Sequence, residues 1–173
     1  MTRFHTLILI LYLLFSAENV YGQNIAYANI DSVIKNSNVG KKIISYFSNK
    51  NNELIKDFKN KEKIFKEKEQ SLKSKKNILD NNEYIKKVDE IKKEINLFNI
   101  EHKKKINQIK TENDEVLKAL MNEINKILKE FAETNNIDII FSSNQMLIGK
   151  SKLDVSNDLL NIVNKQITNF KIK

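Results

Sequence analysis

The apolar residues in the middle of the chain recur at helical spacing over an unusually long stretch. From about Val39 to Phe131 there is no proline, and Gly40 is the only glycine, so few residues here disfavour a helix. The stretch breaks once, at residues 80–83 (Asp-Asn-Asn-Glu), which favour a turn. This pattern predicts two long helices folded into an antiparallel hairpin, on the order of 60 Å long at ~1.5 Å per residue.

The heptad pattern of the first long helix weakens along the chain. Two positions of each heptad would face the partner helix, and together they form the seam of the hairpin. One of these positions holds Ile44, Asn51, Phe58, Phe65, Leu72 and Leu79, and the other holds Phe47, Leu54, Lys61, Lys68 and Lys75. A seam with Lys at one of its two positions packs less tightly and is more hydrated than a fully apolar seam. We therefore expect the far end of the hairpin to be its flexible end.

The return helix, predicted to start near Glu83, shows the same gradient in reverse. Its seam holds Tyr84, Val88, Ile91, Ile95, Phe98, His102 and Lys105, and then, after a phase shift near Ile106 and Ile109, Val116 or Leu117, Leu120, Ile124, Ile127 and Phe131. The better-packed half therefore faces the better-packed half of the first helix. This agreement between the two helices supports the hairpin.

Two short elements are predicted before the hairpin. Residues 25–30 show an alternating pattern and contain β-prone side chains, so they predict a strand. Asp31 and Ser32 have side chains suited to an N-cap, and a short helical turn is expected over residues 33–37.

Three short elements are predicted after the hairpin, which ends at residues 135–136. Residues 137–141 and 146–150 predict two strands that pair as a β-hairpin. Residues 157–170 predict an amphipathic closing helix, for which Asp154 or Ser156 supplies the cap.

The first 22 residues have the layout of a secretory signal peptide. An apolar run over residues 7–15 follows a single Arg, and the small residues Val20 and Gly22 precede a cleavage point before Gln23. The run is too short to span a bilayer comfortably, since a transmembrane helix needs ~20 apolar residues. The mature chain is expected outside the cytoplasm, and an uncleaved anchor is the alternative.

The predicted fold class is α+β and mostly helical, with a long helical hairpin, the arm, on a small β-rich body. The chain divides into a signal peptide (1–22), a discontinuous body (23–38 and 135–173) and the arm (39–134), with its tip near 80–83. Only about 60 residues lie outside the arm, and so small a core rarely stabilises itself. We therefore expect the body to be an oligomerisation interface shared by several chains.

The positive charge is concentrated in the arm. The chain carries a net charge of +8, and the segment from Lys50 to Lys110 holds 18 Lys against 11 acidic residues. This pattern fits either a solvated helix surface or an electropositive arm that attracts anionic partners. The chain has no Arg after Arg3, and its predicted export argues against nucleic acid. Acidic protein segments or an anionic membrane surface fit better.

The residues around the tip are the best candidates for binding a partner. The apolar ones either close the end of the hairpin or offer exposed contacts. The candidates for contact with a partner polypeptide or an anionic surface are Lys61, Lys68, Lys75, Lys76, Ile78, Leu79, Tyr84, Ile85, Lys86 and Lys87.

No combination of residues predicts catalysis. The chain has no Cys and no glycine-rich loop, and its two histidines, His5 and His102, are isolated from each other. Helical acid pairs such as Asp89 and Glu90 have Lys neighbours that explain them as ion pairs. We expect no enzyme activity, no cofactor and no metal site.

The order of elements behind the signal peptide resembles the Skp/OmpH family of periplasmic chaperones. The similar residues are 25–31 (Ile-Ala-Tyr-Ala-Asn-Ile-Asp), 39–42 (Val-Gly-Lys-Lys) and 136–141 (Asn-Ile-Asp-Ile-Ile-Phe). The resemblance implies a homotrimer whose helical arms surround a cavity and hold unfolded outer-membrane proteins without ATP. The arms lack Arg, so the resemblance assigns no lipopolysaccharide-binding residue.

Two other functions are compatible with the pattern. A structural coiled-coil protein of the envelope would also need long helices, and a basic nucleic-acid-binding protein would also carry a positive arm. A holdase fits best because weak, adaptable contacts need neither a fixed pocket nor catalytic residues.

Overall fold

The computed structural model describes residues 23–172, so the predicted signal peptide lies outside the described residues. Over these residues the chain is mostly helical, with one small pair of strands. Its elements are β1 (Ile25–Ala28), α1 (Ile30–Asn36), α2 (Asn38–Ser74), α3 (Asn81–Thr134), β2 (Ile139–Ser142) and α4 (Ser156–Gln166), with 3-10 turns at Ser143–Gln145 and Ser151–Leu153.

Helices α2 and α3 pack against each other with opposite chain directions. Lys50 pairs with Glu112, Phe58 stacks on His102, and Lys68 pairs with Glu94, so the partner number falls as the residue number rises. With 37 and 54 residues, the helices are about 55 and 80 Å long at 1.5 Å per residue. We call this α2–α3 unit the helix pair and the remaining described elements the base.

The buried face at the start of α2 differs from the predicted seam by one position. Val39, Ile43 and Phe47, spaced four residues apart, are buried in the core, whereas Ile44 is 51% exposed. One residue is a rotation of about 100° around a helix, which carries Ile44 away from α3. The prediction that Ile44 lies in the seam is therefore wrong.

The predicted phase shift near Ile106 and Ile109 is also wrong. The half-buried or buried residues Val88, Ile95, His102, Ile109 and Val116 follow each other at seven-residue steps, while Ile106 is 46% exposed and Lys105 is exposed. The spacing changes only after Val116, where Leu120 and Ile124 follow at four-residue steps and are fully buried. Each four-residue step rotates the next buried residue by about +40° around the helix axis. The buried face of α3 therefore turns at the point where α3 contacts both α2 and the base.

The core lies at the base end of the helix pair. It unites residues of β1 and all four helices: Ala28, Val33, Val39, Ile43, Phe47, Val116, Leu120, Ile124, Ile127, Leu159 and Val163. At about 25 cal/mol per Å² of apolar surface removed from water, this cluster is the main stabilising contact of the described chain.

Strand β1 pairs in parallel with β2, from Ile25 opposite Ile139 to Ala28 opposite Ser142. The predicted β-hairpin of residues 137–141 with 146–150 is wrong. Residues 146–150 form no strand, and the other edge of β1 is engaged by Val155, whose N–H donates to the carbonyl of Tyr27 at 3.0 Å. Parallel pairing needs a long crossover, which the helix pair provides.

Helix caps define the junctions of the base. Asn29, rather than Asp31 or Ser32, caps α1, because its Oδ1 accepts from the Ser32 N–H at 2.9 Å. The N-cap of α4 is Val155, which makes no side-chain cap hydrogen bond, and Asp154 just before it accepts from the Ser156 N–H at 2.9 Å. Both acceptors satisfy backbone N–H groups that have no partner within their helix.

Candidate functional site

An aromatic cluster joins the middle of α2 to the middle of α3. Phe58 lies 5.5 Å from Phe98 and 4.2 Å from His102 between ring centroids, and Phe65 lies 5.6 Å from Phe98. All four side chains are half-buried. The sequence placed them on the two seams, but their meeting in one cluster depends on the register between the helices. His102 is therefore a packing residue rather than an isolated polar group.

An ion pair separates this cluster from the core. The Lys50 ammonium donates to the Glu112 carboxylate, and the two side chains are 34% and 39% exposed. The Lys50 Nζ also lies 5.4 Å from the centre of the Tyr46 ring. The hydrogen bond to Glu112 is the main cause that raises the pKa of Lys50 above its usual range, so this lysine stays charged at neutral pH.

A second ion pair crosses the helix pair beyond the cluster. Lys68 donates to Glu94, and both side chains are about half exposed. The three Lys residues predicted in the distal seam, Lys61, Lys68 and Lys75, are exposed, and their ammonium groups stay hydrated. The middle of the interface is aromatic and aliphatic at this level.

The turn at the tip begins earlier than predicted. Helix α2 ends at Ser74, and Asp80 caps α3 by accepting from the Asn82 N–H at 2.7 Å, so the return helix starts at Asn81 rather than Glu83. Leu72 is buried and Leu79 is half-buried, so these two side chains close the end.

The remaining tip candidates divide by exposure. Ile78 is 81% exposed and Ile85 is 51% exposed, whereas Tyr84 is half-buried. Lys76 and Lys86 are exposed. The tip therefore offers two aliphatic side chains to solvent beside charged ones.

A groove near the tip brings four of the ten predicted contact residues together: Lys68, Lys75, Leu79 and Lys87. We call it the distal groove. Its volume is about 580 Å³, and its lining residues are Ile64, Glu67, Lys68, Ser71, Leu72, Lys75, Leu79, Glu83, Lys87, Glu90, Ile91 and Glu94. The other six candidates lie outside it.

The distal groove combines apolar surface with charged side chains. Ile64, Leu72, Leu79 and Ile91 supply apolar surface, and the charged groups are partly paired, with Lys87 Nζ 3.6 Å from Glu83 Oε1. Within residues 23–172, His, Asp and Glu residues form no group of three that could hold a metal ion. The groove can accept an apolar side chain and orient charges around it.

Several exposed aliphatic residues were not singled out in the sequence. Leu97 and Ile100 on α3 are 62% and 58% exposed, and Leu147 and Ile148 in the base are 106% and 90% exposed. In the heptad pattern, Leu97 and Ile100 fall between seam positions, which is the signal that could have identified them.

Among the described helices, none combines the length and apolarity required to cross a membrane.

Comparison with known proteins agrees with this architecture. The family model for outer membrane protein (OmpH-like) matches residues 24–163, which include the helix pair and most of the base. The chain belongs to the OmpH-like family. A crystal structure described as an outer membrane chaperone (OmpH-like) from Caulobacter crescentus superposes on this OmpH-like chain with a TM-score of 0.80. The two share 9% identity over 87% of this chain and 89% of the other, so their likeness is one of fold. No curated protein gives a significant match.

Proposed function

We propose that this OmpH-like protein is an ATP-independent holdase chaperone of the periplasm. It binds unfolded outer-membrane proteins and prevents their aggregation. The main support is the set of exposed aliphatic side chains spread along the helix pair among many lysines. These are Ile44, Ile55, Ile64, Ile78, Ile85, Leu97, Ile100 and Ile106.

The distribution of these side chains favours many weak contacts over one strong site. Between Lys50 and Lys110 the Lys residues exceed the acidic ones by seven, and the aliphatic side chains are separated by charged ones. A polypeptide that binds several such contacts at once gains affinity through effective concentration. Each contact is weak, so the client can rearrange and leave without ATP.

The proposed active form is a homotrimer assembled through the base. Leu147 and Ile148 are almost fully exposed in a segment that has no strand partner in the described chain. Exposed apolar side chains next to unpaired backbone are typical of a surface that another chain covers. Three arms would then surround the client, with the tip available to an anionic membrane surface.

Periplasmic location rests on the predicted signal peptide at residues 1–22. Cleavage before Gln23 would release a chain that starts one residue before the family match. The mature chain would then meet outer-membrane proteins after their export and before their insertion.

The experiment is dilution of a urea-unfolded β-barrel outer-membrane protein into buffer with the mature chain and no nucleotide, followed by light scattering. We expect aggregation to be suppressed at about one trimer per client. A basic helical protein without chaperone activity, at equal mass concentration, is the control for nonspecific charge effects. Equal scattering with and without the mature chain at trimer excess would contradict the holdase function.

A further inference from the structure

The face of α3 that points away from α2 carries an aliphatic pair between two lysines. Leu97 and Ile100 lie three residues apart, Lys93 lies four residues before Leu97, and Lys104 lies four residues after Ile100. Residues three and four apart are neighbours on a helix surface. These four residues therefore form one continuous strip, which we call the outer patch.

The outer patch takes no part in closing the helix pair. Relative to the half-buried seam residue Ile95, Leu97 is rotated by about 200° and Ile100 by about 140° around the helix axis. The exposed fractions of their side chains, 62% and 58%, agree with this outward position. Their hydrophobic surface is thus free to bind another molecule.

The charge around the outer patch is positive. Residues 92–105 hold five Lys and two acidic residues, and one of these acids, Glu94, is paired with Lys68 across the helix pair. Lys93 and Lys104 are exposed, and neither takes part in an ion pair among residues 23–172. A ligand with carboxylates at both ends of an apolar centre would complement this arrangement.

The spacing matches an extended polypeptide. Lys93 and Lys104 are about 16 Å apart along the helix axis, and the first and last residues of a seven-residue extended segment, which point to the same side, are ~20 Å apart at ~3.3 Å per residue. Alternate residues of an extended segment point to the same side, about 6.7 Å apart, which is close to the separation of neighbouring helical side chains. The flexible lysine side chains can take up the small mismatch.

We propose that the outer patch binds extended segments of unfolded polypeptide in which two apolar residues alternate with polar ones and are flanked by acidic residues. This inference rests on the proposed holdase function and adds a specific recognition element to it. Such alternation is typical of strands in outer-membrane β-barrels, whose residues face lipid and lumen in turn.

The test uses a fluorescein-labelled peptide, Glu-Thr-Leu-Thr-Leu-Thr-Glu, and fluorescence anisotropy with the mature chain at low ionic strength. The double variant Leu97→Gln, Ile100→Gln is expected to weaken binding about ten-fold, because it removes two aliphatic contacts while keeping good helix formers. The matched control, Asn52→Gln with Asn60→Gln, alters two exposed residues of α2 that are not among the proposed client contacts. It is expected to change the peptide affinity by less than about two-fold, since these residues lie outside the patch.

The electrostatic part is tested with Lys93→Gln, Lys104→Gln. This variant is expected to weaken binding and to reduce its salt dependence, because two charges that attract the peptide are lost. The control is Lys56→Gln, Lys59→Gln, two exposed lysines of α2. A peptide with Lys in place of both Glu should bind the wild-type chain more weakly.

The outcomes separate this proposal from the holdase function. Absence of peptide binding to the wild-type chain, or equal weakening by the patch and control variants, would overturn the outer patch. Suppression of client aggregation by a chain that does not bind the peptide would contradict the patch alone. Patch-dependent peptide binding without suppression of aggregation would contradict the holdase function and support the patch.

Discussion

At the residue scale, the junction between α1 and α2 depends on two small residues. Ser37 is fully buried, its Oγ donates to the carbonyl of Ile34 at 2.8 Å, and it accepts from the Gly40 N–H at 3.0 Å. A Cβ atom at position 40 would lie 1.7 Å from the Ile34 carbonyl oxygen. Gly40 is needed here for the close approach of two backbones, not for an unusual dihedral angle.

The first prediction concerns Gly40→Ala. In an open helix position this change stabilises by up to ~1 kcal/mol, but here the backbone clash should reverse the sign and lower the free energy of unfolding by about 2–4 kcal/mol. Urea unfolding at fixed protein concentration measures the loss. Asn49→Ala, at an exposed position of α2, is the control and should stay within ~0.5 kcal/mol of wild type. A variant as stable as wild type would show that α1 and α2 can separate at little cost.

At the element scale, the contact between α2 and α3 changes character along its length. Aliphatic core packing at the base gives way to the Lys50–Glu112 pair, the aromatic cluster and the Lys68–Glu94 pair. Because the ion pairs are partly exposed, each contributes little to stability. The aromatic rings should therefore provide most of the cohesion beyond the core.

The second prediction follows from this division. Phe98 contacts Phe58, Phe65 and His102, so Phe98→Ala should lower the free energy of local opening of the helix pair by about 2 kcal/mol. Amide hydrogen exchange should accelerate around the cluster, while residues of the base keep their wild-type rates. Asn99→Ala, at the neighbouring exposed position, should leave the exchange pattern unchanged. Equal acceleration along the whole chain would mean that the helix pair and the base open as one unit.

At the scale of the whole molecule, the base depends on the helix pair to complete its core. The base holds a two-stranded sheet and two short helices, and its buried core is completed by residues of α2 and α3. It also exposes Leu147 and Ile148. A small core beside exposed apolar side chains is a common setting for subunit association.

The third prediction tests this association. Leu147→Asp with Ile148→Asp should convert a trimer of the mature chain into monomers in sedimentation velocity, because charges would become buried at the interface. Ile78→Asp, at a tip residue that is 81% exposed, should keep the mass of the wild type. Circular dichroism checks that the variants remain helical. A monomeric wild type would contradict the trimer, and a trimeric double variant would place the interface elsewhere.

Local chemistry was sufficient to predict the two long helices, because residues 39–131 lack proline and repeat their apolar residues at helical spacing. It also predicted the end of α3 at residue 134. The site was predicted less well. The sequence marked the lysines of the distal half, but the Lys68–Glu94 pair and the distal groove depend on how α2 and α3 are aligned. Leu97 and Ile100 looked ordinary because exposure is a property of the packed molecule.

The sequence by itself determined that two long helices, one polar turn and a small apolar base exist. Only the tertiary structure decided that Ile43 rather than Ile44 is buried, and that β2 pairs with β1 instead of with residues 146–150. Both choices are made by contacts between segments that are far apart in the chain. Helix periodicity is a local property of the backbone, whereas the direction of packing and the partner of a strand depend on what the rest of the chain brings beside them.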